Sequence, residues 1–561
     1  MLSGWSGDPR PAAHSDMPEP ERGAIVLSHA GEPANGELVN CDLCIVGAGP
    51  AGITIAREFS GTNTRICLLD SGGREVERRA QRHNRGESVG YPIHRLKQSR
   101  VRAFGGTSRH WPPDEGLAVR PLDPIDFERR PGQSWSGWPF NRAHLEPWYK
   151  AAQAVCQAGP YDYDPAGWTE GAISALPLVG DAVDTTVFLH GPAAFDGYHA
   201  EVAGASNVTL FQHATVTELL PDDQAPDAVD RVRVTRGDGS GFFVRAAVVV
   251  LAAGGIENPR LLLLSRRAHA AGLGNRYDVV GRYFAERLSG RSGHIVACRP
   301  ELIDQAGFYE IRQARGTRVQ GAFRLTDAVQ RERQLRNYAF FLLRRDASIT
   351  EDAVRSMATL VKAARRRPLT ADATGHLRNV VTGVRGLAGY ASGSVATRRR
   401  RGSARPEVLV LRVQGEQTPN PNSRITLGER TDDFGLPVAR IDWRIDATDS
   451  ASIRASQELV DAALQAAGLG HVERMLGTEH PPMLFEGNYH HLGATRMHVD
   501  PKRGVVDADL KIHGVRNVFV VSSSVFPTYG CSNPTLTIVA LALRLADHLS
   551  KQLAPEKSLR R

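Results

Sequence analysis

A chain of 561 residues, 41% of them hydrophobic, exceeds one ordinary core and leaves ample material to enclose a ligand, so two domains or one two-lobed unit are expected. The formal net charge of +8 comes from dispersed lysines and arginines; only Arg365–Arg367 and Arg398–Arg401 form runs, and no aromatic residues interleave with them, which argues against a nucleic-acid surface. No stretch of about 18 apolar residues occurs, so no membrane span is expected.

Residues 1–39 are rich in Pro, Gly, Ser and Ala and read as a flexible segment, without the basic start and apolar core of a secretory signal. The six cysteines are scattered, which fits a reduced cytoplasmic setting. Cys41-x-x-Cys44 has the spacing of a redox or zinc pair. Cys44 falls inside an apolar strand and no second such pair exists, so both read as strand cysteines and no metal is expected.

From Cys41 to Gly73 the order is apolar run, Gly47-Ala48-Gly49-Pro50-Ala51-Gly52, a helix-like segment, a second apolar run (Ile66 to Leu69) and Asp70. That is strand, glycine turn, helix, strand, acid, the context in which a GxGxxG stretch binds a dinucleotide. Gly47 permits the tight turn, Gly49 lets backbone approach a pyrophosphate, and Gly52 lets the helix pack on the strand. The helix amino terminus faces the diphosphate with its N–H groups, and Asp70 suits an unphosphorylated ribose, which disfavours NADP.

Further on, Phe104-Gly105-Gly106-Thr107-Ser108-Arg109-His110-Trp111 pairs adjacent glycines with hydroxyls, a loop able to press against a planar ring. Trp135–Phe140 reads as packing, and Leu145–Tyr149 leads into a helix through Cys156. Val208–Phe211, Ala214–Leu219, Arg231–Val234 and Ala247–Leu251 read as strands, the last buried on both faces. Pro259 is expected in the first turn of the helix carrying Leu261 to Leu264.

From about Gly293 to Asp446 the pattern is a second, mostly antiparallel domain with helices on one face. It includes the apolar Tyr338–Leu343, a basic helix near Val354–Arg367, and a strand pair near Val408–Val413 and Arg424–Leu427. At the end come Tyr489-His490-His491-Leu492-Gly493-Ala494-Thr495, a strand from Asn517 to Val521, and a long helix to about Leu549, with Asn533 expected as its N-cap and Pro534 in its first turn.

These blocks, GAGPAG, FGGTSRHW, VVLAAGGIENPRLLLLS, HHLGATRM and VFVVSSSVFP with SNPTLTIVALALRLADHL, resemble the glucose-methanol-choline (GMC) oxidoreductases, FAD enzymes that oxidise alcohols, over roughly Cys41 to Leu549. The spelling is similar to the bacterial sugar and polyol dehydrogenase and pyranose-oxidase-like branch. The resemblance implies an α/β fold: a Rossmann-like FAD-binding domain with a second α+β substrate domain on a mostly antiparallel sheet. It divides the chain into a flexible 1–39, an FAD-binding part with inserted cap segments at 40–292, a mainly substrate-binding 293–480, a C-terminal FAD-binding part with the catalytic pair at 481–550, and a tail at 551–561.

Residue by residue, the resemblance makes His490 the catalytic base and Asn533 its partner, with hydride passing from the carbinol carbon to flavin N5. His491 points the other way if the segment is extended, and reads as structural or as support behind the base. FAD contacts are implied for Gly47–Gly52, Asp70, Ser71, Gly105, Gly106, Thr107, Ser108, His110, Trp111, Val216, Gly254, Ser522, Ser523 and Thr535. His110 is either covalently bonded to the flavin, as in the pyranose-oxidase branch, or lies beside unlinked FAD. The implied partner is a hydroxylated small molecule (sugar, polyol or aminoglycoside-like) and the electron acceptor is oxygen or an external one. Two rivals are a hydroxynitrile-lyase-like enzyme that keeps FAD without redox turnover, and a nonenzymatic nucleic-acid or surface-binding protein using the arginine runs.

Overall fold

The apolar run Leu38–Val46 and the run Ile66–Leu69 form neighbouring parallel strands joined by the Pro50–Glu58 helix. In the computed structural model the described residues are 32–554, apart from 92, 94–95, 112–115, 132, 134, 193, 300, 347–406 and 475–488. The basic stretch near Val354–Arg367, both arginine runs, most of 1–39 and most of the 551–561 tail therefore lie outside them. Residues 24–342 and 411–561 make one unit; the other, 1–23 with 343–410, enters the described residues as 343–346 and 407–410.

The first sheet runs in the order Val208–Phe211, Ile66–Leu69, Leu38–Val46, Gly241–Leu251, Val229–Thr235, Thr215–Pro221, with Val518–Val520 also paired to Gly241–Leu251. Its left half and the Val518–Val520 strand are parallel; the Thr215–Pro221, Val229–Thr235 and Gly241–Leu251 strands form an antiparallel meander. Cys41 and Cys44 both sit in the first strand, buried and free. Three far-apart segments thus meet at the carboxyl end of one sheet, where ligands of open α/β folds bind.

The second sheet has eight strands in the order Gly470–Arg474, Leu288–Ala297, Glu407–Gly415, Tyr338–Asp346, Thr317–Leu325, Val183–Gly191, Leu117–Val119, with Arg312–Ala314 beside Thr317–Leu325. Its pairings at both ends and around Thr317–Leu325 are antiparallel. Leu117–Val119 and Val183–Gly191 come from the segment read as an insertion in 40–292. The Ala447–Ala466 helix, opened by an Asp446 capping box, packs on this sheet, and Gln457 Nε2 donates to the Ser292 carbonyl at 2.8 Å.

Two local expectations change. The strands Glu407–Gly415 and Arg424–Thr431 do not pair: Arg424–Thr431 joins Pro437–Trp443 and Gly86–Gly90 in a three-stranded sheet. Pro259 lies inside the Gly254–Leu264 helix rather than in its first turn, because the helix starts earlier, where Asn258 Oδ1 accepts from the Ala253 N–H at 2.9 Å.

Candidate active site

The first strand ends at Val46 and the chain turns at Gly47 with φ of +107°, a conformation glycine enters at no steric cost. A Cβ on Gly52 would lie 1.9 Å from the Gly47 carbonyl oxygen, so turn and helix close only without side chains. A Cβ on Gly49, in contrast, would meet nothing within 4 Å. No side chain caps the Pro50–Glu58 helix and its first turn holds no acid, so its N–H groups and dipole suit a diphosphate. Asp70 is braced at the end of the second strand: Oδ2 accepts from Ala48 N–H at 2.9 Å and Oδ1 from Gly72 N–H at 2.8 Å. Burial pushes its carboxyl pKa up, against the pull of those two bonds.

The second glycine loop docks directly on this turn. Gly105 N–H donates to the Ala48 carbonyl at 2.8 Å, and a Cβ on Gly106 would stand 3.0 Å from Gly49 Cα. Arg109 anchors the loop by ion pairs to Asp196 and Glu75, both at 2.6 Å. Thr107 Oγ1 accepts from Val101 N–H at 3.4 Å, while Ser71 Oγ accepts from Arg102 at 2.8 Å. His110 is exposed and Trp111 half-buried against Phe195. Ser108, placed by sequence among the cofactor contacts, is instead buried: its Oγ donates to Gly105 O at 2.7 Å and accepts from Phe195 N–H at 2.9 Å, because the short 3-10 turn folds the hydroxyl inward.

The His490 segment runs beside residues 285–287 through a two-way bridge, Ala285 N–H to Leu492 O at 3.1 Å and Leu492 N–H to Ala285 O at 2.9 Å. Glu286 Oε1 accepts from the His490 backbone N–H at 2.6 Å. Gly255, at the start of its helix, lets the His491 backbone approach: a Cβ there would sit 2.2 Å from the His491 carbonyl oxygen. Ser523 Oγ holds that same carbonyl at 2.6 Å. His491 is buried against Phe284, its Nε2 3.7 Å from Glu286 Oε2, and burial holds its pKa down at about 3.

On the facing side, Arg287 Nη1 donates to Asn533 Oδ1 and, at 3.3 Å, to the Cys531 carbonyl. His490 Nδ1 is buried with no hydrogen-bond partner among the described residues. Burial first, then the charges of Arg287 and Arg412, hold the His490 pKa well below the usual imidazole range. Asn533 does not cap the C-terminal helix as expected: the cap position falls on Pro534 and the helix runs Thr535–Leu553, because the Asn533 side chain is engaged by Arg287.

Of the other residues singled out, Gly254 opens its helix with φ of +83°, Val216 is half-buried opposite Val234, and Thr535 begins the last helix. Ser522 is buried, accepting from Ser524 N–H at 3.0 Å and Asn258 Nδ2 at 3.1 Å. Like Ser523, it braces protein with its hydroxyl. Gly487 and Asn488, just before the histidines, lie outside the described residues.

The sequence reading missed Arg287, Glu286 and Arg412. The one signal available was Glu286-Arg287 set directly before the apolar start of the Leu288–Ala297 strand, a charged pair where a core strand begins. It also missed the buried charges behind the Asn533 loop. Arg120 pairs with Asp123 at 2.5 Å, Arg324 with Asp123 at 3.0 Å, and Arg130 with Glu416. Asn337 Nδ2 bridges Asp123 at 2.8 Å and Asp126 at 3.0 Å. This network grips the loop: Glu416 accepts from Gly530 N–H at 3.3 Å, and Arg120 donates to Ser532 Oγ at 3.3 Å.

A glycine turn and helix end suited to a diphosphate, with a second glycine loop seated on them, stand at the sheet end where the histidine segment is docked. Residues 419–542 match the GMC oxidoreductase C-terminal domain model. The chain is 24% identical to 6'''-hydroxyparomomycin C oxidase of Streptomyces lividus, covering 94% of each protein. It is 23% identical to 2-methyl-1,2-propanediol dehydrogenase of Mycolicibacterium austroafricanum, over 91% of this chain and 96% of that protein. Superposition on formate oxidase of Aspergillus oryzae gives a TM-score of 0.49 at 16% identity, over 92% of this chain and 99% of that one. Residues 419–542 thus carry a GMC oxidoreductase C-terminal domain, and the chain is an FAD-binding oxidoreductase acting on CH–OH donors. Among the described residues no helix is long and apolar enough to cross a membrane.

Proposed function

We propose that this enzyme oxidises a CH–OH group of a hydroxylated small molecule, a sugar, polyol or aminoglycoside-like compound, to a carbonyl, with His490 as base and Asn533 holding the alcohol oxygen. The observation that carries the reading is that one guanidinium, Arg287, binds the Asn533 side chain and depresses the His490 pKa. FAD, which Gly47–Gly52, Asp70 and the Gly105–Trp111 loop would hold, would supply at its N5 the acceptor for the hydrogen and two electrons leaving the carbinol carbon.

A depressed pKa keeps the His490 imidazole neutral at pH 7, so a ring nitrogen is available for the hydroxyl proton. With Asn533 Oδ1 engaged by Arg287, its Nδ2 amide is the end left to donate to the substrate oxygen. Such a donor favours the oxygen most as it gains negative charge. Glu286 and Ser523 fix the backbone on either side of the histidine pair, so the base does not drift. The names of the polyol dehydrogenase and aminoglycoside oxidase relatives support the substrate classes. The 293–480 region is proposed to wall the substrate, oxygen or an external acceptor to reoxidise the flavin, and the cytoplasm to be the working compartment.

The test is an anaerobic titration of the yellow holoenzyme with sugars, aminosugars and simple alcohols. Bleaching by one class supports oxidation and names the donor; readmitted air then separates oxidase from dehydrogenase. Flavin that dithionite reduces but no alcohol bleaches would overturn oxidation in favour of a lyase-like reaction. Yellow colour retained by acid-precipitated protein, and lost in His110→Ala, would locate a covalent bond at that residue.

A further inference from the structure

Arg287 stands at the meeting point of the proposed catalytic pair and is almost wholly buried, at 3% exposure. Its Nη1 has two oxygen acceptors, but its Nε is buried with no partner among the described residues. Six other buried arginines, Arg100, Arg120, Arg130, Arg260, Arg324 and Arg544, each form an ion pair with a carboxylate, and Arg336 instead donates to Thr418, Thr448 and the Gln334 carbonyl. Arg496, another buried arginine lacking such a pair, spreads its guanidinium over Tyr283 and donates to two backbone carbonyls, a structural role away from the Asn533 loop. Among the described residues no aromatic ring lies beneath Arg287. It also shares its surroundings with Arg412, on the neighbouring strand, which donates to Ser289 Oγ at 3.2 Å.

Two guanidinium groups act on one neutral histidine, and the adjacent buried Glu286 carboxylate offsets the Arg287 charge only in part, since Arg287 still raises the cost of a proton on His490. A buried charge of this kind is costly unless an anion joins it. The cost rises when His490 takes up a proton, since a third positive charge then forms beside the two. A polycationic substrate would make the repulsion worse; an anionic one removes it.

We propose that Arg287 is the seat of an anionic oxygen group on the substrate, a carboxylate or a phosphate, so that the alcohol oxidised belongs to a hydroxy acid, a sugar acid or a sugar phosphate. The proposal rests on the alcohol-oxidation reading and narrows it. The guanidinium performs two tasks: it turns the Asn533 amide towards the alcohol oxygen, and its Nε receives the anion.

The test compares D-glucose, D-glucuronate and D-glucose 6-phosphate as anaerobic reductants of the holoenzyme, in wild type, Arg287→Gln and Arg287→Lys. The wild type is expected to prefer one of the two anions over glucose by about 10–100-fold in kcat/KM, the worth of a charged hydrogen bond. Arg287→Gln should shrink that ratio to within about 3-fold; a ratio is read because the Asn533 task is common to all three sugars and cancels. If Arg287→Gln fails to hold FAD, Arg287→Lys is the deciding arm, with a preference lowered about 3–10-fold. Preference for glucuronate assigns a carboxylate seat, and preference for the phosphate ester a phosphate seat. Equal or better use of glucose by wild type, or an unchanged ratio in the variants, would overturn the proposal while leaving alcohol oxidation intact. If no sugar bleaches the flavin, acetate and inorganic phosphate are titrated against the flavin absorbance at constant ionic strength. Binding at least about 10-fold weaker in Arg287→Gln supports the anion seat even though oxidation of these sugars has failed, and equal or absent binding overturns it.

Discussion

The two sides of the proposed site are built from different materials. On the cofactor side, Gly47, Gly49, Gly52 and Gly106 bring bare backbone together, and the polar work is done by N–H groups, a helix end and one acid. On the substrate side, His490 and Asn533 are held by buried ionisable groups, with Arg287 and Glu286 beside them and the Asp123–Asp126–Glu416 network behind. The backbone side leaves no room for a Cβ at Gly47 or Gly52, while Gly49 stands open. The side-chain side owes its function to charge, and so responds to pH. Each variant below tests whether that division is real.

The largest effect belongs to the backbone side. Gly52→Val would force a branched side chain where even a Cβ lies 1.9 Å from the Gly47 oxygen. The expected outcome is colourless protein, or none that folds, because overpacking at such a contact costs several kcal/mol or moves the turn. Yellow protein with wild-type FAD affinity would break the cradle assignment.

Next comes the proposed base. His490→Ala should bind FAD as before, since the histidine contributes nothing to the glycine cradle, yet lose about 10²–10⁴-fold in the rate of flavin bleaching by alcohol. Stopped-flow reduction measures it. In the wild type the depressed imidazole pKa places the acid limb of the pH–rate profile below pH 6.5, so activity should stay flat as pH falls through that value. Arg287→Gln removes one of the charges that depress it, and the limb should move up. Loss of FAD from His490→Ala, or a limb that does not move, would count against the division.

Legibility followed the same line. The GAGPAG turn, Asp70 and the Gly105–Gly106 loop could be read locally, because glycines at fixed spacing carry their reason with them. His490 and Asn533 could be placed only by resemblance, since a lone histidine in an extended segment is more often structural. Arg287 was invisible: its importance arises from a bridge between residues 285 and 492 and from a loop at 531–533, contacts that no local spacing encodes. For the same reason the capping role assigned to Asn533 failed, an otherwise sound N-cap signal overridden by a tertiary partner. Ser108 is the converse case, a hydroxyl in a ligand-facing loop that local turn geometry consumed.

A smaller test reaches the charge network behind the Asn533 loop. Burial, together with the Asp123 and Glu416 charges, pushes the Asp126 carboxyl up to about 7. A raised acid is protonated in the folded chain where the unfolded chain is already ionised, so its contribution is fully present below about pH 4 and is lost as pH rises towards about 7. Denaturant unfolding at several pH values should show wild type losing stability relative to Asp126→Asn across that window. Parallel curves would mean that Asp126 is ionised in the fold.

The smallest expected effect separates the two sides most cleanly. Ser523 and Ser108 are both buried serines whose hydroxyls bond within the protein, one fixing the His491 carbonyl and the other tying the glycine loop to Phe195. Losing either bond costs about 1 kcal/mol, with the partner left short of a donor or acceptor. Their consequences should differ. Ser523→Ala loosens the segment that carries His490, so flavin reduction should slow by about 3–10-fold with FAD affinity unchanged. Ser108→Ala loosens the loop seated on the dinucleotide turn, so FAD should dissociate about 3–10-fold more readily, with reduction of the bound fraction nearly as fast as in wild type. FAD affinity from fluorescence recovery and reduction rate from stopped flow are independent readouts, so the two variants should fall on different axes. If both moved both quantities together, the cradle and the catalytic wall would be one mechanical unit and the contrast between backbone and charge would describe only their composition.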